Sequence, residues 1–182
     1  MVVLFSVLLF SGCSMNSNLL DTALSARSRL LEGNGCEFKA EITADYGQEL
    51  ISFSINCAFD QHGNMQFDVI EPGTIMGISG KIDSDGGALT FDDKVLGFAM
   101  LADDQITPVS APWLMIKSLR SGYIASCGKD GTLFKIQLDD SYNEDPLQLD
   151  LWIDQNNTIV RAEFLWRNRR IINLDVMDFK YL

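Results

Sequence analysis

The chain has 182 residues, 47% of them hydrophobic and 21% charged, with four prolines and a net charge of −11. That length and composition fit one globular domain with a substantial core. Its acidity excludes a nucleic-acid binder, which needs Lys and Arg, and argues against electrostatic docking on anionic lipid headgroups.

An apolar run from Val2 to Phe10 ends in Ser11-Gly12 and then Cys13. It is too short to span a bilayer, which takes about 20 apolar residues. A hydrophobic segment, a small-residue cleavage site and a thiol together read as a lipoprotein signal peptide. They predict cleavage before Cys13 and acylation of its sulfur and new amino group. The mature chain would then be held by membrane lipid on the extracytoplasmic face of the cell membrane. Residues 1–12 are the signal peptide on this reading, 13–18 a polar tether and 19–182 a single domain. Met1 to Gly12 carry no charge, whereas such peptides open with Lys or Arg, so basic residues are expected upstream of Met1. The other reading is a buried N-terminal strand that ends in cysteine.

Leu19 to Glu32 has its apolar residues near the helical period, and Gly33-Asn34-Gly35 stops it. After Gly35 the period becomes two. A tight turn at Tyr46-Gly47 would place Ile42 opposite Ile51, Ala40 opposite Phe53, Phe38 opposite Ile55 and Cys36 opposite Cys57. That register puts the large apolar residues on one face and Glu37, Lys39, Glu41, Ser52, Ser54 and Asn56 on the other. It also makes Cys36 and Cys57 candidates for a cross-strand disulfide. Closing a loop of about 20 residues would contribute on the order of 3 kcal/mol. The alternative is two buried free thiols, and Cys127 is left without a partner in either case.

Strands are expected at Met65–Glu71, Ile75–Ile82, Ala88–Phe91 and Lys94–Leu101. A second helix follows, with Ser110 as its cap, Pro112 in its first turn, and a face of Trp113, Ile116 and Leu119 before Gly122. Tyr123–Cys127, Thr132–Leu138, Leu147–Ile153, Thr158–Trp166 and Arg170–Tyr181 complete an antiparallel meander. Strands and helices do not alternate, which excludes a doubly wound nucleotide-binding fold. The expected fold is mainly β (α+β). One large curved antiparallel sheet forms a half-open barrel, and the two helices cover its mouth. Its concave lining, the candidate site for an apolar ligand, is Phe53, Ile55, Phe67, Val69, Phe91, Leu149, Leu151, Phe164 and Leu174. On the outer side of the 147–153 strand, Trp152 is a candidate external contact.

Residues suited to catalysis are sparse. His62, the one histidine, lies in a turn and has no triad partners. Asp83-Ser84-Asp85-Gly86-Gly87 opens like a calcium loop but has Lys94 where a closing Glu belongs. Asp92-Asp93, Asp103-Asp104 and Asp139-Asp140 are strand neighbours that point to opposite faces, so none is a catalytic carboxylate pair. Asn156-Asn157-Thr158 is a turn. Arg167, Arg169 and Arg170 form either an ordinary charged turn or a partner or phosphate contact. Met76, Met100, Met115 and Met177 either fill core gaps or line an adaptable pocket. No catalytic residue, metal or cofactor is expected.

The cysteine after the apolar leader, the N-terminal helix, the meander, the inserted helix at Pro112–Arg120 and two segments together carry a resemblance. The segments are Phe67-Asp68-Val69-Ile70-Glu71-Pro72 and Leu151-Trp152-Ile153-Asp154. The arrangement resembles the LolA/LolB lipoprotein-carrier superfamily over most of the mature chain. The resemblance implies an incomplete barrel whose concavity binds acyl chains or a partner's lipid, without catalysis. The protruding apolar loop of the lipidated receptors has no clear counterpart here. The chain is also similar in size, lipidation and fold to the germination lipoproteins of spore-forming bacteria. That likeness implies a module that binds a cell-wall enzyme such as an amidase.

Overall fold

A computed structural model describes residues 17–83, 90–91, 100–139 and 146–182, with the backbone alone for 17–18 and 90–91. Helix α1 spans Ser17–Glu32 and α2 spans Ala111–Ser121. The strands are β1 Gly35–Asp45, β2 Leu50–Asp60, β3 Met65–Glu71, β4 Ser79–Ile82, β5 Thr90–Phe91, β6 Tyr123–Asp130, β7 Leu133–Asp139, β8 Gln148–Ile153, β9 Ile159–Trp166 and β10 Arg169–Tyr181. They make one antiparallel sheet in the order β5-β4-β3-β2-β1-β10-β9-β8-β7-β6. Two meanders run outward from the centre, where the first strand pairs with the last.

Register irregularities interrupt the β1–β10, β9–β10, β2–β3, β6–β7 and β8–β9 pairings. An extra residue in one strand bends the ladder and raises its twist, so the sheet curls without closing. At the β1–β10 irregularity Asp178 takes a positive φ of 54°. The inner face carries the apolar half of the alternation, and α1 and α2 cover it. Ala23, Ala26 and Leu30 of α1, and Met115, Ile116 and Leu119 of α2, join the inner-face residues in one buried cluster.

Each helix ends on an arginine from the other. The last carbonyls of a helix have no partner within it. Arg120 Nη1 donates to the Leu30 carbonyl at 2.7 Å and Nη2 to that of Gln61 at 3.0 Å. Arg27 Nε donates to the Leu119 carbonyl at 2.7 Å and Nη2 to that of Gly122 at 2.6 Å. Gly63 lies beneath the Arg120 side chain, where a Cβ would make only ordinary contact at 3.5 Å from Nε, so its φ of 85° and not lack of space calls for glycine.

The first hairpin keeps its expected faces but not its expected register. Its turn is centred on Gly47-Gln48, with Tyr46 N donating to the Glu49 carbonyl at 3.0 Å. Gly47 has a φ of 89°. A two-residue turn with glycine in its first central position suits the twist of a hairpin, and Tyr46 would not accept that φ. The pairs are therefore Ile42–Phe53, Ala40–Ile55, Phe38–Cys57 and Cys36–Phe59. Cys36 and Cys57 become diagonal neighbours instead of opposed residues, and both are buried free thiols. Burial pushes Cys36 up to about 12, with Arg120 pulling against it, and burial and then the nearby Cys36 raise Cys57 well above the usual range.

Two further expectations change. The strand expected from Ile75 begins at Ser79, because the chain turns through 72–78, where Ile75 N donates to the Pro72 carbonyl at 3.0 Å and Gly77 has a φ of 88°. Ser110 does not cap α2 with its side chain. Instead Thr107 caps a short 3₁₀ turn, Pro108–Ser110, where Ser110 N donates to Thr107 Oγ1 and Thr107 N to Ser110 Oγ.

Two predictions follow from this packing. Arg120→Met keeps the apolar stem but strands the carbonyls it served, and should lower unfolding free energy in urea by about 1–3 kcal/mol. In alkylation of the native mature chain, Cys127 should react while Cys36 and Cys57 react only on unfolding. A mass two protons lighter under non-reducing conditions would contradict the free-thiol arrangement.

Candidate binding surfaces

The concave lining is assembled by cross-strand rungs. One rung is Ile136–Leu151–Ala162–Leu174–Ile42–Phe53, and another is Leu138–Leu149–Phe164–Ile172–Ala44–Ile51. Ile55 pairs with Val69, and Phe67 lies on the same face of β3. Phe53, Ile55, Phe67, Val69, Leu149, Leu151, Phe164 and Leu174 are each 2% exposed or less. A side chain lining a water-sized void would expose surface to it, so these eight are packed against protein atoms. Phe91 belongs to β5, and its side chain lies outside the described residues, as does Cys13.

The outer face is polar and more ordered than alternation alone suggests. Trp152, expected as an exposed contact, is 4% exposed. Its register partners are Lys135 on β7 and Arg161 on β9. Their cationic groups stand 5.0 and 4.7 Å from the ring centroid, and their stems cover it. The indole Nε1 donates to Asp130 Oδ2 at 2.9 Å. On the adjacent rung lie two buried carboxylates, Asp150 and Glu163. Asp150 pairs with Lys135 Nζ at 2.6 Å and accepts from Gln148 Nε2 at 2.9 Å. Glu163 accepts from Arg161 and from Arg170 Nη1, the latter at 2.8 Å. Burial works to raise the Glu163 carboxyl, but the hydrogen bonds and charges of Arg170 and Arg161 outweigh it and hold the group below the usual carboxylate range.

Beside this network a groove of about 610 Å³ runs along Thr43, Asp45, Leu50, Arg161, Arg170 and Asn173. Asn173 Oδ1 is buried there without a hydrogen-bond partner, while Nδ2 donates to Asp175 at 2.9 Å. A second groove of about 410 Å³ lies over Glu37, Lys39, Asn56, Gln66, Asp68 and Lys180. Both are open and polar, and neither meets the concave lining set.

The remaining candidates have local roles. Arg167 and Arg169 each lie 3.6 Å from a carboxylate, on Asp103 and Asp45 respectively, and Arg170 pairs with Glu163, so each arginine of the basic cluster has an acidic neighbour within the chain. Arg167 also stacks on Trp166 at 4.1 Å. His62 is an exposed turn residue whose backbone N donates to Asp60. Asp103 and Asp104 are exposed turn residues with positive φ. Residues 84–89, 92–99 and 140–145, with the rest of the calcium-loop resemblance and of the aspartate pairs, lie outside the described residues. Asp154 orders the Asn156-Asn157-Thr158 turn by accepting from Asn156 N and Thr158 N, each at 2.8 Å. Of the four methionines weighed as core or pocket, Met115 is in the core, and Met76, Met100 and Met177 are exposed. Among the described residues no group of three or more His, Cys, Asp or Glu is placed to hold a metal ion.

The buried Glu163 carboxylate gives a measurable pH dependence. A group whose folded pKa is depressed stabilises the fold above its unfolded pKa, and that contribution is lost as pH falls through the folded value. Glu163→Gln should cost about 1.5–3 kcal/mol at neutral pH. The gap between the two proteins should close as pH falls below the ordinary glutamate range, read from urea midpoints across a pH series.

No family profile matches the sequence, and no curated protein matches it. Solved structures do match. MucB aligns over 91% of this chain and 59% of its own, at 8% identity and a TM-score of 0.50. The MucA/MucB complex of Pseudomonas aeruginosa aligns over 88% and 57%, at 11% identity and a TM-score of 0.42. A LolA superfamily protein from Nitrosomonas europaea aligns over 89% and 92%, at 8% identity and a TM-score of 0.40. Identities this low speak to fold alone. The chain has a LolA-like fold, an open curved sheet with an N-terminal and an inserted helix.

Proposed function

We propose that this chain is a non-enzymatic binding module of the bacterial cell envelope. It is tethered to the membrane through acylated Cys13 and engages a protein partner with the outside of its half-barrel. The observation that carries this reading is the packed interior. A carrier of acyl chains needs a dry, continuous cavity, and its lining would border empty space. Here Phe53, Ile55, Phe67, Val69, Leu149, Leu151, Phe164 and Leu174 are packed against the chain's own side chains. An apolar ligand on that wall would first have to part α1 and α2 from it, breaking the arginine contacts between them. The outer face, by contrast, offers open, polar grooves, one of them beside the buried charge network. No described helix is long and apolar enough to cross a membrane, so the tether carries the membrane attachment in this reading. A partner of the kind the germination-lipoprotein resemblance implies is a cell-wall enzyme such as an amidase.

Native mass spectrometry of the chain purified without detergent separates the readings. The module reading expects the mass of the apoprotein, with a stoichiometric protein complex when the partner is supplied. Co-purifying acyl species would overturn it in favour of a lipid or lipoprotein carrier. Cys13→Ala should move the protein from the membrane to the soluble fraction, and unchanged membrane association would refute the anchor.

A further inference from the structure

The acidity of this chain is unevenly distributed. The two helices carry four basic residues, Arg27, Arg29, Lys117 and Arg120, and two acidic ones, Asp21 and Glu32. All other acidic residues, twenty-three of the 25, lie outside the helices, with ten of the 14 basic ones. The helical layer is thus mildly cationic on a strongly anionic protein. The same layer exposes apolar surface. Leu24 is 44% exposed and Leu31 52%, and Leu20 is half-buried. At about 100° per residue the three fall within about 40° of one another, in one stripe along α1. Arg27 lies at the edge of the stripe nearer α2, and Asp21 and Glu32 lie on its other side. Arg27 Nη2 binds the Gly122 carbonyl, which brings the chain next to Tyr123, itself 74% exposed, to the α2 side of the stripe.

Chain length decides what this surface meets. Only four peptide steps separate Cys13 from Ser17, where α1 begins. Fully extended they reach about 14 Å. If Cys13 is acylated, which is the reading proposed above and on which this inference rests, the first turn of α1 stays within about 14 Å of the anchored residue, in the headgroups or directly above them. The domain can only pivot about that point. An anionic bilayer repels the acidic sheet and attracts the cationic layer, and leucines with a neighbouring tyrosine partition into the interface. We propose that the Leu20–Leu24–Leu31 stripe of α1, with Tyr123, rests on the bilayer. The outer face of the sheet is then turned away from the membrane toward the partner.

The test uses the lipidated protein in phosphatidylcholine vesicles containing phosphatidylglycerol, with Cys127→Ser to remove the half-exposed thiol. Nitroxides are placed through Leu24→Cys, Leu31→Cys, Asp68→Cys and Asp175→Cys, all at exposed positions. Relative to the same domain cut free of its tether, labels at 24 and 31 should gain several-fold in accessibility to oxygen over a polar nickel reagent. Those at 68 and 175 should not change. No gain at 24 and 31, or a gain at 68 or 175, would overturn the docking. The mass of the N-terminal peptide reads the tether separately. An acylated peptide without the depth signature overturns the docking alone, whereas an unmodified Cys13 overturns both.

Discussion

A sheet with one apolar face has to be covered, and among the described residues two helices cover it. The molecule depends on how they are fixed. Neither helix is long, and their own hydrogen bonds leave the terminal carbonyls bare in a layer pressed against a hydrophobic core. Arg27 and Arg120 resolve this by crossing over, each serving the C-terminal end of the other helix. The exchange satisfies buried acceptors with charged donors, the stronger kind of hydrogen bond. It also sets the spacing of the helices, so the small residues Ala23 and Ala26 can sit close to the sheet. Closure of the concave face follows from this lock as much as from the greasiness of the wall.

The outer face is stabilised differently. Alternation makes every second residue of a strand point outward, and here many of those are charged. Left singly in water they would contribute little. Because the strands align Lys135, Trp152 and Arg161 on one rung and Asp150 and Glu163 on the next, charges of opposite sign meet across neighbouring strands and shield one another from solvent. The indole supplies a flat surface for two cationic stems. A polar face built this way is rigid, which suits recognition by a folded partner better than a mobile surface would.

Much of the architecture was legible in the sequence because periodicity is a local property. The change from a 3.6-residue to a two-residue period at Gly35, and the stop at Gly33-Asn34-Gly35, mark α1 and the first strand, and alternation marks most of the others. The first hairpin shows the limit. Apolar and polar residues alternate evenly through it, so sliding the strands by two residues leaves both faces unchanged. The turn decides the register: its first central position needs a positive φ, which Gly47 accepts and Tyr46 does not, and with it comes the separation of Cys36 from Cys57. Trp152 sits on the expected outer face but is buried there, because its exposure depends on Lys135 and Arg161 of the neighbouring strands. The same holds for the buried state of Asp150 and Glu163 and for the arginine lock. A pattern read along one strand assigns a face, and burial on that face is decided by its neighbours.

The meeting of β1 and β10 at the middle of the sheet bears on how this molecule is made. Lys180 reaches Glu37 across 143 residues of chain, at 3.2 Å. A ribosome or export channel delivers the two meanders one after the other, and each can zip up locally as it emerges. Neither can be joined to the other until the final strand is released. Until then the N-terminal half has a raw central edge, and its oily wall lacks half of its neighbours. Completion is therefore a late, single event governed by the last dozen or so residues to appear, the slow non-local pairing expected of high contact order. During that interval a chain exported unfolded would be most exposed to aggregation or capture by a chaperone.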